Sequence, residues 1–229
     1  MMTNQYETAD IVWRDHAVPV SVRFDDPYFS LAGGLEETRH VFLAGNGLPQ
    51  RFEAGFHIAE LGFGTGLNLL ASWQAWRASG QPGALHFTSF EAYPMAADDM
   101  ARALSAFPEL AELAGQILPL LNRGQRLLSL PGLEAEIIFG DANDTLPQWQ
   151  GAADAWFLDG FSPARNPDLW RAELLRNMAE HTRKGGTCAT YSAAGHVRAA
   201  LNSAGFSVER SQGFGRKRHM TIGQLKDTA

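Results

Sequence analysis

The 229-residue sequence contains no run of eighteen or more apolar residues, no basic-then-apolar leader within its first ten residues, no internal repeat and no low-complexity tract. The first two absences speak against a membrane-spanning helix and a secretory signal, so a soluble, cytoplasmic protein with no membrane partner is expected. Cysteine is reduced to one, Cys188, which rules out an internal disulfide and fits a reducing compartment. In its strand context that thiol reads as a small core group rather than a nucleophile. Lysine is scarce, since 16 of the 19 basic residues are arginine, whose planar fork suits phosphate. Net positive charge is also lacking. The formal charge of -6 argues against a generally basic nucleic-acid binder, but it conceals an asymmetry. Up to Gly160 there are 8 basic against 20 acidic residues, and beyond it 11 against 5. An anionic partner fits the C-terminal third, although composition alone equally allows a charge bias with no partner.

What is present suffices for one full core: 45% of the residues are hydrophobic. From residue 55 onward, short apolar runs ending in Gly, Asp or Glu alternate with longer stretches of helical spacing, the pattern of a βα succession. Strands are expected at 57–62, 85–91, 136–141, 155–159 and 187–192, and helices at 66–78, 94–107, 167–181 and 194–203. Pro94 and Pro167 suit first helical turns, and Gly185-Gly186 and Gly205 suit helix ends. The stretch 113–133, rich in Pro, Gly and Asn, reads as an irregular connection with at most a short helix. Strands at 206–210 and 219–225 are joined too tightly for a crossover helix and should be antiparallel. A mostly parallel sheet that ends in an antiparallel C-terminal pair is the α/β, Rossmann-like arrangement of class I methyltransferases. Residues 1–54 read as a small extension packed on a core of 55–229, with a β-hairpin over 11–24 turning at Ala17-Val18-Pro19 and a helix over 35–43. Trp73 and Trp76, at helical spacing, read as core.

Three strand ends carry acids. Glu60-Leu61-Gly62-Phe63-Gly64-Thr65-Gly66 joins a strand to a helix, where glycine lets the backbone approach a ligand and helix N–H groups point at it. The G-x-G-x-G spacing departs from the G-x-G-x-x-G pyrophosphate fingerprint. The preceding Glu60 would repel pyrophosphate but attract an ammonium group, which favours the methionine part of S-adenosylmethionine. Glu91 is placed to accept ribose hydroxyls, and Asp141, in Gly140-Asp141-Ala142, to accept an adenine amino group. Ligands of open α/β sheets bind at this edge. After the fourth strand, Asp159, Phe161 and Pro163 supply the polar, aromatic and proline types that class I enzymes use to align an amine with a sulfonium.

Longer runs extend the likeness over nearly the whole chain: Phe24-Asp25-Asp26-Pro27-Tyr28-Phe29-Ser30, Gly34-Leu35-Glu36-Glu37-Thr38-Arg39, Gly62-Phe63-Gly64-Thr65-Gly66-Leu67-Asn68, Trp156-Phe157-Leu158-Asp159-Gly160-Phe161, Asn166-Pro167-Asp168-Leu169-Trp170 and Gly213-Phe214-Gly215-Arg216-Lys217-Arg218. In these the chain resembles the family of bacterial methyltransferase domains of 5-methylaminomethyl-2-thiouridine biosynthesis in tRNA. Ser162, Arg165 and His219 depart from the commonest residues of that family and remove nothing the chemistry needs. The resemblance implies N-methylation of the 5-aminomethyl group of a wobble uridine, with S-adenosylmethionine as cofactor and no metal. It adds Asn68 to the cofactor set and makes Tyr28, Glu36, Glu37 and Thr38 candidates to cover the cofactor. It also implies a flavin-dependent oxidoreductase, fused or separate, as a partner that prepares the amine. With the last expected strand close to Ala229, a stand-alone enzyme or a fragment of a longer one are both open, and no flavin is expected in this chain.

Arg216, Lys217 and Arg218, with Arg165 and Arg198, are then candidates for the phosphates of the anticodon stem. Asp159, taken at an ordinary pKa of about 4, would be a poor base toward an alkylammonium, which leaves it alignment and charge stabilisation. Phe161 and Pro163 would pack on the flipped base or wall off water. Rival readings are an aminopropyltransferase-like enzyme, which would be expected to carry a second acidic pair where Arg165 and Asn166 stand; a nicotinamide oxidoreductase, disfavoured by the glycine spacing; and a non-catalytic tRNA-binding relative, disfavoured by the retained acids.

Overall fold

The computed structural model describes residues 7–15, 18–30 and 33–226. The chain begins with β1 (Ile11–Arg14), β2 (Val18–Ser21) and β3 (Asp26–Pro27), an antiparallel sheet in which Arg14 faces Val18. The hairpin expected over 11–24 forms, but Val18 and Pro19, expected in its turn, are paired in β2 with Arg14 and Trp13, and Ala17 lies outside the described residues. Next comes α1 (Gly34–Thr38), which continues through a π-helical turn, Arg39–Leu43, and a 3-10 turn, Ala44–Asn46. This segment is tied to the main sheet by Asn46, whose buried amide donates to the Trp156 carbonyl, and by Arg51, which donates to the Asn46 and Asp154 carbonyls.

The βα succession then runs β4 (His57–Leu61), α2 (Leu67–Ser79), β5 (Leu85–Glu91), α3 (Ala97–Leu104), α4 (Ala111–Asn122), β6 (Leu127–Leu130), β7 (Leu133–Phe139), α5 (Ala142–Thr145), β8 (Ala153–Leu158), α6 (Ala172–Glu180), β9 (Thr182–Thr190), α7 (Gly195–Ser203), β10 (Phe206–Gln212) and β11 (His219–Leu225). The eight-stranded sheet has the order β10-β11-β9-β8-β4-β5-β7-β6. It is parallel from β9 to β7, and the β10–β11 pair is antiparallel as expected. The succession from β4 runs outward first through β5 and β7 and then, in the other direction, through β8 and β9. The crevice at this switch, between the C-terminal ends of β4 and β8, is where such sheets bind ligands.

Side chains alternate between two cores. Ile58, Phe87, Ile137 and Phe157 face the side of α2 to α4, whereas Leu61, Trp156, Leu158 and Cys188 face α6 and α7. Helix α2 is buried almost all round, with Trp73 and Trp76 at most 1% exposed, as their spacing implied. Burial raises the Cys188 thiol pKa, consistent with an inert core group.

Several expectations need correction. The stretch 113–133 is not irregular: most of it is α4, despite Pro119, and β6, which pairs antiparallel with β7. Leu113, Ala114 and Ile117 bury against the core, and that packing outweighs the proline's lost N–H and steric penalty. Pro94 precedes α3 rather than starting it, and its carbonyl accepts from Ala9 N. The helix expected at 167–181 divides, because Arg171 is extended between a 3-10 turn, Pro167–Trp170, and α6. Gly185-Gly186 lies inside β9, beside an irregularity in its pairing with β8, while Gly205 does follow α7 with φ +105°.

Candidate active site

The glycine loop is shaped by backbone demands. Gly62, Gly64 and Gly66 all lie at positive φ, +92°, +53° and +78°, where a side chain would be strained. Gly62 has a second reason: an added Cβ would stand 2.1 Å from the Asp159 carbonyl oxygen, so the tips of β4 and β8 meet only because this residue is glycine. Gly66 N donates to the Phe63 carbonyl at 2.9 Å, closing the turn into α2. Phe63 and Thr65 are buried beneath the loop. The ring of Tyr28 covers Gly64, with 3.1 Å between ring and a Cβ placed there.

At the centre one amide joins two acids. Glu60 continues the inward row of β4 after Ile58, so its carboxylate is fully buried, facing α2. Asn68, in the first turn of α2, donates from Nδ2 to Glu60 Oε1 at 2.7 Å and to Asp159 Oδ2 at 2.7 Å. Ser89 Oγ donates to Glu60 Oε2 at 2.7 Å, and Thr38 Oγ1 donates to Asn68 Oδ1 at 2.9 Å, which fixes the amide's orientation. Burial drives the Glu60 pKa well above the carboxylate range, against the bonds from Ser89 and Asn68. Burial also pushes Asp159 up to about 7, while the Asn68 bond opposes the rise, Glu37 adds to it and Lys217 counters it. The sequence-based assumption of an ordinary Asp159 pKa is therefore corrected. Desolvation by the folded surroundings brings the carboxylate into the range of a neutral-pH base.

Glu91, at the end of β5, accepts from Gly64 N and from Tyr93 N, each at 2.8 Å. Burial raises its pKa, and these backbone donors restrain the rise. Asp141 caps α5, accepting from Asn143 N at 2.9 Å, and is exposed at the end of β7, with Ala142 buried behind it. The three strand-end acids thus share one edge of the sheet. Asn68 couples Glu60 directly to Asp159, which sequence placed in separate sets. The donor set, a cradle of glycine backbone next to a buried amide and carboxylates, fits a ligand with a cationic amino-acid end and a ribose.

The loop after β8 docks on the N-terminal sheet. Phe161 stacks on Phe24 with ring centres 4.7 Å apart and meets Tyr28 edge-on at 5.0 Å. Ser162 N donates to Asp26 Oδ2 at 2.8 Å, and Pro163 is half-buried next to it. Of the basic candidates, Arg216 and Arg218 are exposed at the tip of the β10–β11 hairpin. Arg165 pairs with Asp25 at 2.9 Å, Lys217 pairs with Glu37 at 2.7 Å, and Arg198 lies in the first turn of α7 with its Nε buried and unbonded. The five basic residues are therefore not one uniform set. Sequence reasoning missed Ser89 and Tyr191 altogether. Tyr191, just past β9, donates from its hydroxyl to the Gly160 carbonyl at 2.6 Å and lies under the Lys217 ammonium. A polar residue late in a buried strand was the available signal for Ser89; nothing local distinguished Tyr191.

Among the described residues no group of three or more His, Cys, Asp or Glu could hold a metal, and no helix is long and apolar enough to cross a membrane. A family model described as S-adenosyl-L-methionine-dependent methyltransferase matches residues 107–226. The tRNA 5-methylaminomethyl-2-thiouridine biosynthesis bifunctional protein MnmC of Vibrio cholerae serotype O1 (strain M66-2) is 47% identical over 238 residues, 96% of this chain and 35% of that protein. The protein of the same name from Caulobacter sp. (strain K31) is 47% identical over 221 residues, 91% of this chain and 37% of that protein. The chain thus spans about a third of the length of these curated relatives. The crystal structure of MNMC2 from Aquifex aeolicus superimposes with a TM-score of 0.74 at 23% identity, covering 98% of this chain and 72% of that one, a likeness of fold.

Proposed function

We propose, from the premise that the chain belongs to the S-adenosyl-L-methionine-dependent methyltransferase family, that it N-methylates the 5-aminomethyl group of wobble uridine or 2-thiouridine in tRNA. The relatives' name supports the nucleoside, since it specifies 5-methylaminomethyl-2-thiouridine in tRNA. The observation that carries the chemistry is the Asn68 amide holding Asp159, with its pKa near 7, against Glu60 at the glycine loop. Held by the glycine loop, Glu60 and Glu91, S-adenosylmethionine would supply a sulfonium methyl group, with its sulfur leaving as a neutral thioether when the amine nitrogen takes the methyl.

In this reading Asp159 as a carboxylate first orients the incoming ammonium and then accepts a proton from it, exposing the lone pair. With the new N–C bond the positive charge passes from sulfur to nitrogen; the product leaves as an ammonium, and Asp159, protonated since the first step, returns its proton to water. Asn68 keeps the Asp159 carboxylate aimed, and Glu60 offers its buried oxygens to the amino group of the methionine end. Glu91 and Asp141 serve the ribose and adenine. Phe161 and Pro163 wall the channel that the flipped base enters, and Arg216 and Arg218, with Arg165, Arg198 and Lys217 once freed from their present surroundings, meet the phosphates of the anticodon stem. Residues 1–54 act as brace and lid on a catalytic unit of 55–229. A second activity, a flavin-dependent oxidoreductase on the same or another polypeptide, prepares the amine, and the setting is the cytoplasm.

The test is incubation with S-adenosylmethionine and tRNA bearing 5-aminomethyluridine, followed by nucleoside mass spectrometry. A gain of one methyl on that nucleoside is expected. Its absence, with the cofactor bound, would remove this substrate.

A further inference from the structure

Lys217 is unlike the arginines beside it. Its Nζ donates to Glu37 Oε1 at 2.7 Å and stands 4.2 Å from the centre of the Tyr191 ring. The Tyr191 ring is held next to the reacting centre, because its hydroxyl donates to the carbonyl of Gly160, the residue after Asp159. Glu37 is held there as well: it precedes Thr38, which orients Asn68, and Asn68 bonds Asp159. Glu37 and Lys217 both act electrostatically on Asp159, in opposite senses. An ammonium on an alkyl stem is thus seated between a carboxylate and an aromatic face next to Asp159, the combination by which alkylammonium ligands are recognised.

We propose that Glu37 and the ring of Tyr191 form the seat of the substrate's primary amine, and that Lys217 occupies it until the amine displaces the lysine. The inference rests on the methylation reading above, whose substrate carries the same headgroup: a primary ammonium on a saturated carbon. The substrate's ammonium exchanges for that of Lys217 between Glu37 and Tyr191, then passes one proton to Asp159 and turns its lone pair to the methyl donor. The displaced Lys217 remains on the hairpin tip with Arg216 and Arg218, where a polyanion such as the anticodon stem compensates its charge. The seat therefore opens most readily for an amine attached to RNA.

Steady-state methylation of tRNA bearing 5-aminomethyluridine, and of the free 5-aminomethyluridine nucleoside as a minimal probe, tests the seat. Glu37→Gln should raise KM for both about tenfold or more, with kcat changed less and S-adenosylmethionine affinity by calorimetry unaltered. Tyr191→Leu should do the same, and Tyr191→Phe, which keeps the ring but loses the hydroxyl bond to Gly160, should raise KM less than Tyr191→Leu. Lys217→Met removes the competitor and should lower the nucleoside KM several-fold, by about the factor the occupied seat imposes. In the Lys217→Met background Glu37→Gln should still raise KM. If Glu37 only anchored Lys217, the double variant would match Lys217→Met alone, and the proposal would be overturned. It is equally overturned if wild type methylates the tRNA and Glu37→Gln keeps the wild-type KM. Failure of the wild-type protein to methylate at all would instead remove the functional reading, and the inference with it.

Discussion

The centre around Asn68 and the tip of the β10–β11 hairpin are both dense in polar side chains, but they work under opposite conditions. At the centre each group is bonded to another, with Glu60 fully buried and Asp159 half-buried, and both acids have raised pKa values. At the tip Arg216 and Arg218 are exposed. A charge in bulk solvent keeps its ordinary chemistry and contributes little to stability, yet it remains available to a polyanion. The difference teaches that burial shifts the titration of the central acids while exposure keeps charge available for long-range attraction of a polyanion. Lys217 links the two regions, since it springs from the tip and ends on Glu37.

The sharpest way to break this contrast is at Asp159. Asp159→Ala should lower turnover by about 10² to 10³ with cofactor binding retained, as single-turnover kinetics and calorimetry would report. In the wild type, kcat/KM should climb with pH through about 7 as Asp159 ionises. The same shift has a stability consequence. Asp159 is held above its ordinary value of 3.8, so its contribution to stability is full below that pH and is lost as pH rises through about 7. Asp159→Ala should therefore flatten the decline in stability over that window, measured by urea unfolding at several pH values.

Gly62→Ala comes next. The positive φ alone costs about 1–3 kcal/mol, and the clash with the Asp159 carbonyl oxygen forces the strand tips apart. Denaturation should show the loss together with weakened S-adenosylmethionine binding. A variant as stable as wild type would mean that the close approach of β4 and β8 is not a constraint. Asn68→Ala should cost about 1–3 kcal/mol, because the buried Glu60 and the half-buried Asp159 lose their common donor. It should also move the pH–rate limb upward, since the Asn68 bond holds the Asp159 pKa down. An unmoved limb would detach Asn68 from the chemistry.

The smallest effect on stability belongs to the tip. Arg216→Ala with Arg218→Ala should leave stability within about 0.5 kcal/mol but reduce the salt dependence of tRNA binding by about one slope unit for each phosphate no longer neutralised. An unchanged slope would take these arginines off the RNA footprint, and a large stability loss would erase the contrast with the centre.

Much of this was legible in the chain because it is written in local patterns. The alternation of short apolar runs with helical spacing located every strand of the parallel sheet, and the tight connection at 211–215 foretold the antiparallel pair. The G-x-G-x-G spacing and the acids at strand ends marked one edge. Where local pattern and packing disagree, the reading failed: Pro119 suggested an irregular connection, but burial of Leu113 and Ile117 sustains α4. Phe161 offered an aromatic type for the channel, but its stacking on Phe24 depends on a hairpin more than a hundred residues earlier in the chain.

By itself, then, the sequence determined the fold class, the edge of the sheet that carries the candidate site and the residue types available there, because periodicity and turn chemistry act between near neighbours. Only the tertiary structure decided which of those groups meet. Asn68 reaches Asp159 across 91 positions and Lys217 reaches Glu37 across 180, and the Asp159 pKa follows from that enclosure. Desolvation and charge pairing depend on distance in space, which no spacing along the chain expresses.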